Sequence, residues 1–118
     1  MDVAFEHRWR EVLAKLEDRF GEEIDLEAVL FLIGVQELGH GFGKFTKDEK
    51  VNLIHIGICT VLEPYGFYRF EHLDQEGWPH FELIKPLPHL KDAEQKELMK
   101  KAIIDYFEEE GLTPKRMS

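Results

Sequence analysis

The amino-acid sequence predicts a mainly α fold: four principal helices in a multihelical bundle, with a small β-hairpin between helices 3 and 4. Three observations predict it. Apolar residues recur at steps of three and four near both ends of the 118-residue chain. Between Asp25 and Glu63, two nearly continuous apolar segments flank the glycine-rich turn Gly39-His40-Gly41-Phe42-Gly43. Helices apolar on more than one face must be covered on more than one face, so this pair is expected at the centre. From Phe67 to Lys85 the pattern alternates, as in strands.

Helix 1 is expected from about Asp2 to Phe20, on a stripe of Phe5, Trp9, Val12, Leu13, Leu16 and Phe20. Gly21 ends it with a left-handed cap. Helix 2 begins at Asp25, a good N-cap, and ends near Leu38 or Gly39. Helix 3 opens on the capping box Thr46-Lys47-Asp48-Glu49 and stops before Pro64, which disfavours helical geometry at Glu63.

The hairpin covers about 67–85, with Asp74-Gln75-Glu76-Gly77 as its turn. That loop pairs Phe70 with Phe81 and Arg69 with Glu82, and places His80 opposite Glu71. Tyr68, Phe70, Phe81 and Leu83 then share one face. Pro79 sits badly in a central strand, so at least one edge is expected to be free. Helix 4 starts near Asp92, with Gln95 completing a second capping box, and ends before Gly111 and Pro114. The tail, about 113–118, is expected to be disordered.

The length fits one domain, 1–118. The acidic N-terminus lacks the basic start and apolar stretch of a signal peptide, and the longest apolar run, Ala28 to Val35, is too short to cross a bilayer. The expectation is therefore a cytoplasmic protein with no membrane association. Twenty-four acids against fifteen bases give a net charge of -9, which repels nucleic-acid backbones. The one basic cluster, Lys96, Lys100 and Lys101, is interleaved with acids and suits a solvated helix face. Cys59 is the single cysteine and Ser118 the single serine. Internal disulfides, cysteine-rich zinc modules and serine-nucleophile hydrolases are thereby excluded.

Four signals remain. Asp48, Asn52, His55, Cys59 and Glu63 step along helix 3 as a polar line: a solvent face, or a seam lining a pocket. Asn52, His55, Cys59 and Glu63 are the candidate ligand-binding residues. Cys59 sits mid-helix, away from the helix N-terminus that lowers a thiol pKa. Glu37 and His40 form Glu-x-x-His, a metal-ligand spacing in di-iron bundles, but those sites need a second copy and further glutamates. Gly39-x-Gly41-x-Gly43-Lys44 superficially resembles a phosphate loop, but it follows a helix and lacks the Lys-Ser/Thr ending. Gly34 and Gly57 each cost about 1 kcal/mol relative to alanine in a helix interior. They are expected to admit close neighbours, within the chain or from a second subunit. Their different distances from the turn keep them from facing each other directly, which leaves each able to meet a different helix or to serve tight packing within the chain.

The order of elements and the segment from Phe31 to Gly43 resemble a small family of uncharacterised bacterial proteins with a multihelical fold. The resemblance implies the helical fold and no activity. The expectation is thus a non-enzymatic, homo-oligomeric interaction module, most simply a homodimer, with no cofactor and a further protein partner in reach. The alternative is a small-molecule or metal-binding protein, an enzyme included, that uses the helix 3 seam.

Overall fold

The computed structural model describes residues 3–21, 23–40 and 43–109. Its order is α1 (Val3–Phe20), α2 (Leu26–Leu38), α3 (Lys47–Leu62), a 3-10 turn (Glu63–Tyr65), β1 (Tyr68–Leu73), β2 (Pro79–Leu83) and α4 (Asp92–Glu109). The architecture is mainly α, with the hairpin between α3 and α4. Among the described residues no helix is long and apolar enough to cross a membrane.

The helix ends follow local chemistry. The Asp25 carboxylate accepts from the N–H of Ala28 at 2.8 Å. Thr46 and Glu49 make both halves of their capping box. Gly21 and Gly39 take φ of 74° and 76°, which favours glycine because it lacks a Cβ. α3 stops before Pro64 as expected, although Glu63 keeps helical dihedrals and the chain tightens into the 3-10 turn, which tolerates Pro64 in its first residues. One helix start differs from expectation. At α4 the second capping box is absent; the Glu94 carboxylate instead takes the N–H of Lys91 at 3.0 Å. The predicted stop at Gly111 and Pro114, and the tail, lie outside the described residues.

α2 and α3 lie backbone to backbone. A Cβ on Gly34 would sit 2.0 Å from the Leu53 carbonyl oxygen, and one on Gly57 2.1 Å from that of Leu30. The glycines do not face each other, yet they serve the same helix pair rather than different helices. The offset along each axis is what lets two separate close approaches occur on one interface. Their demand for space is met within the chain, without a second subunit.

One core cluster joins Trp9 and Leu16 of α1, Val29, Leu30 and Ile33 of α2, Val61 and Leu62 of α3, and Ala102, Ile103, Ile104 and Tyr106 of α4. A smaller one, Val35, Leu38, Leu53 and Ile56, lies under Phe31, Phe45, Trp78 and Phe81. The hairpin thus rests on α2 and α3 through Trp78 and Phe81, which answers the instability of an isolated hairpin in water.

The sheet pairs Tyr68 with Leu83, Arg69 with Glu82 and Phe70 with Phe81, as the alternation predicts. The turn end differs: His80 faces His72 rather than Glu71, because a bulge at Glu71 shifts the register. A bulge puts two residues opposite one, and it lets Pro79 pair with Leu73 at the strand start.

Candidate functional site

The helix 3 polar line divides. Asp48, Asn52 and His55 are exposed and line an open groove of about 530 Å³ between the first half of α3 and the hairpin. Asp74, Glu76, Trp78, Pro79, His80 and Phe81 form the opposite wall. Every strand residue in that wall belongs to β2.

Asp74 organises the turn. Its Oδ1 accepts from the N–H groups of Glu76 and Trp78, at 3.0 and 2.9 Å. This is the local side-chain-to-backbone bonding that suits aspartate to turns. Its Oδ2 lies 3.0 Å from His80 Nε2. The His80 contact, with the Trp78 and Glu76 amides, holds the Asp74 carboxyl below the usual carboxylate range. His80 also stacks on His72, with ring centroids 4.9 Å apart.

Cys59 and Glu63, the other half of the line, leave the groove. Cys59 is fully buried, with Sγ 3.7 Å from the His55 ring. Burial first, and the charge of Glu63 second, push its thiol pKa up to about 12. It is therefore a poor nucleophile and a poor metal ligand. The Glu63 carboxylate accepts the backbone N–H of Phe70 at 2.8 Å, so its role is at the sheet.

Glu37 and His40 do not share surroundings. Glu37 is 3% exposed and accepts from the Tyr106 hydroxyl at 2.9 Å, which in turn accepts from Gln36 Nε2 at 2.6 Å. With Glu63, Asp105 and Glu108 it borders a crevice of about 160 Å³. Asp105 there accepts from the Tyr65 hydroxyl at 2.5 Å, and burial together with that bond raises the tyrosine pKa. Glu108 pairs with Arg8. His40 is exposed and lies against Gly77, in the hairpin turn. Among the described residues no group of three or more His, Cys, Asp or Glu side chains is arranged to hold a metal ion.

Two other sequence signals fall away from a site. Gly41 and Phe42 of the glycine-rich turn lie outside the described residues. Lys100 of the basic cluster places its ammonium 5.6 Å from the centre of the Trp9 ring, where it covers the core.

The wall residues Asp74 and Trp78 were not sequence candidates for a site, and His80 was expected only in a pair with Glu71, which the bulge replaces by His72. Asp74, three residues before Gly77, carried a turn signal but no site signal. No family model, curated protein or solved structure matches the chain.

Proposed function

We propose that this chain is a non-enzymatic interaction module that docks partners on the open edge of β2. The observation that carries the reading is that the two hairpin edges differ. On β1, the outward N–H of Phe70 is taken by Glu63. On β2, the ladder bond from Ile84 N–H to the Phe67 carbonyl at 2.9 Å sets the alternation, which turns the N–H and C=O groups of Phe81 and Leu83 outward. The sheet has two strands among the described residues, so nothing pairs with that edge in the sheet. Pro79 lies at the next outward position, where its missing N–H breaks no ladder bond. Leu83 is 56% and Ile84 48% exposed beside the edge.

A homodimer is the simplest assembly of this kind. β2 of a second copy, antiparallel about a two-fold axis, extends the sheet to four strands. The intrachain use of Gly34 and Gly57 removes one reason for self-association and leaves the edge as the remaining one.

Amide hydrogen exchange at low and high protein concentration, with light scattering on the same samples, tests the reading. Fast exchange at Phe81 and Leu83 that slows as the mass doubles supports the homodimer. Fast exchange at both concentrations, with a constant monomer mass, supports an edge awaiting another partner. Slow exchange in a dilute monomer overturns the reading, because the edge is then covered by its own chain.

A second reading, a small-molecule-binding protein, draws support from the groove, where Asn52 and His55 face His80 and Trp78. Its volume falls in the range of ligand sites, roughly 300–1,000 Å³. A small-molecule screen read by chemical shifts of Asn52 and His55 tests it, and a screen without saturable shifts there counts against it.

A further inference from the structure

We propose that the groove beside β2 accepts an extended basic segment of another protein, added to the hairpin as a third strand. The inference rests on the reading of β2 as a docking edge and names what docks there.

The backbone sets the register. Phe81 and Leu83 each turn one donor and one acceptor outward, while Pro79 contributes only a carbonyl. A partner strand therefore gains its main-chain bonds at Phe81 and Leu83 and is held least firmly at the turn end. Strand addition supplies affinity through those bonds and specificity through the side chains of alternate partner residues.

The groove chooses the side chains. Asp48, Glu49, Asp74 and Glu76 line it, and no lysine or arginine is among its lining residues. Two of these acids are already engaged: Glu49 in the α3 capping box, Asp74 in the turn. Asp48 and Glu76 have no side-chain partner among the described residues. Both are exposed at the groove, where a lysine or arginine from the partner can meet them. Trp78, half-buried in the wall, offers a ring on which a cationic side chain can lie.

The same charges argue against a second copy as the favoured occupant. The chain carries -9, and β2 has no lysine or arginine, its Glu82 being already paired with Arg69 at 2.6 Å. Self-addition brings no cation of β2 to the acidic wall, whereas a strand with lysine or arginine at alternate positions is attracted to it.

A short capped peptide alternating lysine and valine is the probe, titrated into the full chain and read by the amide resonances of Phe81 and Leu83. The expected result is saturable shifts at both residues, with affinity falling about tenfold from low to high salt. Asp48→Asn with Glu76→Gln is expected to weaken binding about fivefold, since both charges are solvent-exposed. A glutamate–valine peptide is expected not to bind, nor a lysine–valine peptide N-methylated at alternate residues. Equal binding of either control overturns the proposal, as does self-association without peptide binding. If Phe81 and Leu83 exchange fast yet the peptide fails, the partner chemistry is wrong and the docking edge stands. If they exchange slowly in the dilute monomer, both fall.

Discussion

Gly34 lies so close to Leu53 that a Cβ on the glycine would stand 2.0 Å from the leucine's carbonyl oxygen. The obstacle is backbone, so no rotamer change relieves it. Gly34→Ala gains about 1 kcal/mol of helix propensity and, because the clash is with backbone, incurs an overpacking cost of about 3 kcal/mol, the upper end of the usual range. The helices must part to relieve the clash, so the net expectation is destabilisation by about 2 kcal/mol. Urea unfolding should show a lower midpoint with an unchanged slope. Gly43→Ala is the control, since nothing lies within 4 Å of its Cβ position. Equal midpoints for Gly34→Ala and the parent would contradict the close approach.

The buried Glu37 carboxylate takes a proton donor from Tyr106, a residue of the far helix. Tyr106→Phe keeps the ring and removes that donor. The expected loss is about 1–3 kcal/mol, the usual range for depriving a buried polar group of a partner. In a Glu37→Leu background the same change should cost less, and a double-mutant cycle measures the coupling. Purely additive losses would show that the hydroxyl and the carboxylate act separately.

Cys59 should resist alkylation in the native protein at pH 8 and react readily in denaturant, because its thiol pKa is pushed up to about 12. The shift also sets a sign for stability. The unfolded thiol ionises near 9.0 while the folded one holds its proton. The contribution is complete below pH 9 and is lost as pH rises towards 12. Cys59→Ala should flatten that alkaline decline relative to the parent. Rapid native-state alkylation would refute the burial argument.

Asp74 predicts behaviour at the acid end. Its carboxyl is held below the ordinary 3.8, by His80 first and the turn amides after. A depressed carboxylate stabilises the fold above its unfolded value, and the effect is lost as pH falls through the folded one. The hairpin turn should therefore persist through pH 5 and loosen only below the usual carboxylate range. Protection of the Trp78 amide, followed by exchange across an acid titration, reports it. Asp74→Ala should lower that protection at neutral pH as well.

The fold was legible wherever one local rule sufficed. Asp25, Thr46, Gly21 and Gly39 each mark a helix end through their own chemistry. Phe70 and Phe81 fixed the strand register because a one-residue slip would expose an entire apolar face. The bulge at Glu71 was not legible: the pairing of His72 with His80 trades one regular partner for another, and no residue type announces it. The polar line on helix 3 was visible as a pattern, but its division depended on neighbours. Asp48, Asn52 and His55 meet the hairpin turn, Cys59 meets the core, and Glu63 meets the backbone of β1. Likewise, nothing near Glu37 foretold Tyr106, whose hydroxyl arrives from the opposite end of the chain.

The paired glycine approaches between α2 and α3 also bear on the order of assembly. Both contacts join helices separated only by one short connection, so the loop to be closed is small. The packing of α1 on α4 joins the two extremes of the described chain. A central helical pair can thus condense early and present a template, while the outer helices arrive through a slower, long-range search. Mutations at Gly34 or Gly57 are then expected to slow refolding, and changes confined to the α1–α4 seam to quicken unfolding.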